Sequence, residues 1–337
     1  MSKIVAVLGG GNGAHAAAAD LTNRGFTVHM YEEECFASNM EKVFATKTIK
    51  LKGAEFILVT VPAFAHAPYA KKLAKVVKPG QIVLVLPGTF GSLIFWKEFK
   101  AAEVKDVAVC ETHTLPYATR LIEPGTSLVM SRFNPLKVGV MPAKRTKEVL
   151  EKVSVLFDGM EAVESVIACG LSSLNPIIHV PGCILNAGRI EIAKGDFHFY
   201  TEGFTDCVVR ATEAIDKERI AILDKFGYAS DIAAHGVGGA IVTDSIKEAI
   251  AGDPNFAKIM GPANFKNRYY SEDIPLGLSS WAILAHEYGI KTPIMDSMIN
   301  LGTVIMEFDC WESGRSLEQL GISGMNLEEL KTYLIEG

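Results

Sequence analysis

An apolar run, KIVAVLG, passes directly into a glycine cluster, and the alanine-rich AHAAAADLTNRG follows. Few folds need bare backbone immediately behind a buried-type strand. Gly9-x-Gly11-x-x-Ala14 has the Gly-x-Gly-x-x-Gly/Ala spacing of a dinucleotide-binding turn set between a strand and a helix. In such a turn Gly9 permits the tight bend, Gly11 lets the backbone approach a pyrophosphate, and Ala14 lets the helix pack closely on the strand. Gly10, Asn12 and Gly13 complete the turn, whose helix-start amides face the phosphates. A second strand, FTVHMYE, ends at Glu32, twenty-one residues beyond Gly11. A carboxylate there accepts hydrogen bonds from both ribose hydroxyls and repels a 2′-phosphate. Glu33 and Glu34 add to the repulsion and no arginine lies nearby in sequence, so NAD is expected in preference to NADP. A glycine turn followed by a solvated acidic loop would leave strand, spacing and acid unexplained together.

The rest of the first half keeps the alternation. EFILVTVP, QIVLVLPG and DVAVCE are strand-length apolar runs without polar alternation, as in a parallel sheet covered on both faces. HAPYAKKLAKVV reads as a helix closed by Pro79-Gly80, and SLVMSRFNPLKVGVM as a hairpin turning at Asn134-Pro135. Beyond about Val163 the pattern becomes helical, in GLSSLNPIIHVPGCILNAGRIEIA, DCVVRATEAIDKERIAILDKFG, IVTDSIKEAIAG and GLSSWAILAHEYG. The expected fold is α/β: a Rossmann-type parallel sheet over residues 1–165, then an all-helical domain over 166–337. HGVGGA at 235–240 has no preceding strand and reads as a loop.

Composition narrows the function. The chain has 337 residues, 49% hydrophobic and 21% charged, enough for two packed cores. A net charge of -6 with no basic block argues against a nucleic-acid partner. No run of eighteen apolar residues occurs, and the N-terminus lacks the pattern of a secretory signal, so no membrane association and a cytoplasmic location are expected. Six scattered cysteines without a CxxC pair suit reduced thiols, and eight scattered histidines without HExxH give no metal site.

Reducing a carbonyl or imine requires a proton donor beside the cofactor, and histidine suits this near neutral pH. His179 in LSSLNPIIHVPG, flanked by Pro176 and Pro181, is the best candidate. On residue type alone, a histidine on an apolar helix is more often a satisfied core group. Taken in order, GGGNGAHAAAADL, VLPGTFGS, ETHTLPYATR, NPIIHVPG, RYYSEDIPLGL and KTPIMDSMI resemble the NAD-dependent octopine/opine dehydrogenase family over nearly the whole chain. The resemblance implies reductive condensation of a 2-oxo acid, such as pyruvate, with the amino group of an amino acid. It implies a catalytic histidine at His179 and a partner aspartate, matched here to Asp296 in TPIMDS. Without the resemblance, Asp296 reads as a helix-start carboxylate after Pro293. It also leaves room for a homodimer.

Thr112 and His113 follow a strand end at the edge where such sheets bind ligands. His113 replaces a glutamine common in the family, which bears on substrate preference. The two carboxylates of an opine call for cations, and Lys291, Arg268 and Arg120 are candidates. The rival expectation is a 2-hydroxy acid or ketopantoate-type dehydrogenase. The ketopantoate type would carry a lysine near the nicotinamide, and none lies near NPIIH.

Overall fold

The computed structural model describes residues 3–40, 53–237 and 242–337. The chain divides into two compact units, Met1–Ser172 with Glu329–Gly337, and Ser173–Glu328.

In the first unit β1 (Ile4–Leu8), β2 (Thr27–Tyr31), β3 (Ala54–Val59), β4 (Ile82–Val85) and β5 (Ala108–Thr112) run parallel. A separate antiparallel pair, β6 (Tyr117–Glu123) and β7 (Thr126–Arg132), follows. β8 (Leu136–Met141) then joins β5 antiparallel, and β9 (Met160–Ala162) lies parallel to β8, giving the order β2-β1-β3-β4-β5-β8-β9. Phe56, Ile57, Leu58 and Val59 of β3 are each 0% exposed. That is why these runs lack alternation: both faces of the strand are covered. Strand order reverses about β1, with β2 on one side and β3 on the other, so a crevice opens at the carboxyl ends of β1 and β3. Helices α1 (Asn12–Asn23), α2 (His66–Leu73), α3 (Gly91–Ala101), α4 (Thr146–Val153) and α5 (Val166–Leu171) belong to this unit.

Two expectations need correcting here. Asn134-Pro135 is a turn, but β7 pairs with β6 and not with β8, so the hairpin turns at Pro124-Gly125, where Gly125 has φ +87. The boundary expected at residue 165 lies after Ser172. The cause is Gly139 of β8: a Cβ there would stand 2.6 Å from Ser165 O and 2.7 Å from Val166 Cα, so the missing side chain draws α5 onto the sheet. Cys169 Sγ also donates to Glu111 O. The last residues return as well, through Lys144–Glu336 and Lys100 Nζ to Gly337 O.

The second unit contains α6 (Asn175–Ile184), α7 (Ala187–Ala193), α8 (Phe199–Gly203), α9 (Asp206–Phe226), α10 (Ala233–Val237) and α11 (Ile246–Gly252). It continues with α12 (Arg268–Ser271), a π-helical segment Asp273–Leu278, α13 (Ser279–Glu287), α14 (Pro293–Met306) and α15 (Leu317–Leu320), and α16 (Leu327–Glu336) leads back to the first unit. Among its described residues the only β pairing is the isolated His198–Met260 bridge. The long apolar segment around NPIIH is three helices, α5 to α7. Pro176 stands in the first turn of α6 and Pro181 lies inside it, costing that helix a backbone donor. By length and composition Val166–Ile184 is apolar enough to cross a membrane, but 83% of its most apolar window is buried inside the protein. The loop expected at 235–240 begins within α10, and its residues 238–240 lie outside the described residues.

Candidate functional site

The first unit carries the turn expected to hold a dinucleotide. Gly9 N–H donates to Tyr31 O and Thr60 N–H to Leu8 O, which fixes the turn at the mouth of the crevice. Gly9 has φ +118, and a Cβ on it would stand 2.9 Å from Thr60 Oγ1. Gly11, the residue preceding α1, has open space where its Cβ would be, so backbone is bare on the outer side of the turn. A Cβ on Gly13 would stand 2.8 Å from Leu115 Cδ1, and Ala14, in the first turn of α1, is fully buried. The Asn12 carboxamide is engaged by β6, its Oδ1 accepting from Leu121 N–H at 2.5 Å.

Glu32 lies against this turn, with Oε2 2.8 Å from where a Gly10 Cβ would be and Oε1 accepting from Glu33 N–H. Glu33 contributes less repulsion than its sequence position implies. It accepts from Lys72 Nζ at 2.5 Å and from the Tyr31 hydroxyl at 3.1 Å, so a cation from α2 offsets its charge. The bare turn, the helix start and the Glu32 carboxylate together fit a dinucleotide with a free 2′-hydroxyl.

Thr112 and His113 stand at the end of β5, but both are occupied there. The Thr112 hydroxyl donates to Thr114 O at 2.7 Å, and the residue is 0% exposed. His113 Nδ1 accepts from Lys137 N–H at 3.1 Å. Burial first, then the charge of Lys137, push its pKa down to about 4, so the ring is neutral at physiological pH and supplies no charge to an anionic substrate.

His179 lies in the second unit at the centre of α6 and is 7% exposed. Its Nδ1 bonds to Asp273 Oδ2 at 2.7 Å and its Nε2 to the Tyr200 hydroxyl at 3.0 Å. The Tyr269 ring stacks on the imidazole, 3.7 Å between centroids at 15°, and Phe199 meets it edge-on. Two sequence motifs build this pocket. In RYYSEDIPLGL, Tyr269 stacks on the imidazole, Tyr270 OH donates to Cys183 O of α6, and Asp273 opens the π-helical segment. In NPIIHVPG, a Cβ on Gly182 would stand 2.7 Å from Phe199 and 2.9 Å from Phe204, so glycine admits the aromatic wall. A Cβ on Gly277 would likewise stand 2.6 Å from Pro176 Cγ, so the π-helical segment packs tightly on the start of α6. Burial pushes the Asp273 carboxyl above the ordinary carboxylate range, and the adjacent imidazole pulls it back. A carboxylate that accepts from Nδ1–H leaves Nε2 as the nitrogen that exchanges a proton.

The expected pairing of His179 with Asp296 is therefore corrected to His179 with Asp273. Asp296 sits in the first turn of α14, where Oδ1 accepts from the Thr292 hydroxyl at 2.8 Å and lies 3.1 Å from His286 Nε2. The amides of Ile294 and Met295 go to Glu218 instead. Asp273 was present in a quoted motif, and its signal was an acid two residues before a proline, the same signal in kind as an acid three residues after Pro293. Lys291 is exposed in the turn between α13 and α14. Arg120 is exposed on β6, and Arg268 pairs with Glu272 one residue from Tyr269.

The family model described as NAD/NADP octopine/nopaline dehydrogenase, alpha-helical domain, matches residues 162–306. An opine dehydrogenase of Arthrobacter sp. (strain 1C) is 30% identical, with 98% of each chain covered. A vitopine synthase of Allorhizobium ampelinum is 24% identical, with 97% of each covered. A solved octopine dehydrogenase, in complex with NADH and agmatine, superposes with a TM-score of 0.76 at 19% identity, covering 100% of this chain and 98% of that one. With the dinucleotide turn in one unit and a carboxylate-bound histidine in the other, this chain belongs to the octopine/opine dehydrogenase family of NAD-dependent oxidoreductases.

Proposed function

We propose that the chain condenses a 2-oxo acid such as pyruvate with the amino group of an amino acid, using NADH, and oxidises the resulting secondary amine in reverse. The first unit holds the cofactor on Gly9 to Ala14, with Glu32 on the ribose, and the second unit supplies the acid and base. The observation that carries this reading is the 2.7 Å bond between His179 Nδ1 and Asp273, inside a site of low exposure. When bound, NADH supplies a hydride. The chain's own residues handle the proton.

Condensation expels the keto oxygen as water and consumes one proton overall. Protonated His179 is the donor, and Asp273 keeps the other ring proton on Nδ1 so that the same nitrogen always exchanges. In the oxidative direction neutral His179 takes that proton back. Arg268, beside Tyr269 and electrostatically coupled to Asp273, is better placed than Lys291 to receive a substrate carboxylate. Six free cysteines suit a reducing compartment, which supports a cytoplasmic location.

Paired variants test the assignment. Asp273→Asn should lower turnover by about 10²-fold or more, because an amide cannot hold the imidazolium. Asp296→Asn should leave turnover within a few-fold of wild type, and both should bind NADH normally. The opposite ranking would return the role to Asp296.

A further inference from the structure

The imidazole of His179 has no polar atom left to offer. Nδ1 is held by Asp273 and Nε2 by the Tyr200 hydroxyl, while Tyr269 covers one face of the ring. Tyr200 is itself 3% exposed, and Tyr269, whose ring stacks on the imidazole that Tyr200 holds, is partly exposed. A phenol hydroxyl donates to a neutral Nε2 and accepts from a protonated one, so it can remain bonded through both states of the ring.

We propose that the proton handled by His179 enters and leaves through Tyr200, with Tyr269 as the outer end of the line. This rests on the dyad reading above. In the condensing direction the Tyr269 O–H bond breaks as its proton passes to the departing keto oxygen. The Tyr200 proton moves to the Tyr269 oxygen, and the Nε2 proton of the imidazolium moves to the Tyr200 oxygen. Three bonds to hydrogen break and three form. Both phenols are restored, the imidazole is left neutral, and water departs. The reverse shift recharges the ring during oxidation. Both phenols therefore act in proton transfer, whereas the Phe199 ring beside them only packs.

The test is Tyr200→Phe in the full-length enzyme, assayed at fixed pH and ionic strength with increasing imidazole buffer. Turnover should fall about 10²–10⁴-fold, the range for a lost proton-transfer group, with NADH affinity unchanged. The residual rate should climb with buffer concentration, while the wild-type rate stays flat, because a small acid can replace a missing proton carrier but cannot repair a distorted pocket. Turnover within twofold of wild type, or a loss that no buffer acid restores, overturns the relay. His179→Asn separates the two ideas. If it abolishes turnover while Tyr200→Phe is fully active, the dyad stands and the relay falls; if it keeps turnover, the dyad itself falls and the relay falls with it. Should Tyr200→Phe not fold, Tyr269→Phe, whose hydroxyl lies at the partly exposed end, is judged by the same two outcomes.

Discussion

In the proposed site Glu32 is the residue that would separate two nicotinamide cofactors differing by one phosphate. Its carboxylate lies beside the Gly10 backbone, and its neighbour Glu33 is already paired with Lys72. The discrimination therefore rests mainly on one charge, about 4 kcal/mol against each added negative charge at ~4 Å with an effective dielectric constant of ~20. Glu32→Ala should weaken NADH binding and narrow the preference over NADPH, as read by fluorescence titration of both cofactors. Wild-type protein that bound NADPH as tightly as NADH would remove Glu32 from that role. His113 makes a different kind of prediction. Its pKa is about 4 when folded, against about 6.5 in an open chain, so between those values the unfolded state binds more protons. Stability should therefore drop as pH falls from about 6.5 towards 4. His113→Asn, which can still accept from Lys137 N–H, should make the fall in urea midpoint between pH 7 and pH 5 shallower. An unchanged slope would show that His113 does not contribute to it.

Among the elements, α3 shows what a quoted motif was for. VLPGTFGS leads into the helix through Thr89 and Phe90, both at positive φ. The buried Glu111 of β5 accepts from Phe90 N–H at 3.1 Å, Ser92 N–H at 2.9 Å and Ser92 Oγ at 2.6 Å. A Cβ on Gly88 would stand 2.2 Å from the Glu111 carboxyl, so glycine is required for the carboxylate to reach the helix start. Glu111→Gln puts an amide donor against those donors and should cost about 1–3 kcal/mol in chemical denaturation. No measurable loss would mean the loop is held by other contacts. The dyad shows where reading the sequence stopped. His179 was named through the motif resemblance, since on residue type alone a histidine on an apolar helix is more often a core group. Its partner was not, since Asp273 and Asp296 both follow or precede a proline at a helix start. Only the packing of the 268–278 segment on α6 separates them, and periodicity does not encode which of two helix starts meets a third helix.

At the scale of the whole molecule, the parallel sheet and the helical unit were readable from the change of hydrophobic period near residue 165. The membership of α5, the return of residues 329–337 and the β6–β7 pairing were not. The first two depend on contacts distant in sequence, such as Gly139 under Val166 or Lys144 with Glu336, whereas the third is a local hairpin whose Pro124-Gly125 turn was passed over for Asn134-Pro135. The division of labour between the two units predicts a reaction that needs three reactants at once: cofactor, keto acid and amine. The most direct measurement follows NADH consumption with pyruvate alone and then with each amino acid added, and weighs the product. The account predicts little oxidation with pyruvate alone, a clear increase with the right amino acid, and a secondary amine whose mass contains both carbon skeletons. Rapid NADH oxidation with the keto acid alone, yielding the 2-hydroxy acid, would contradict it.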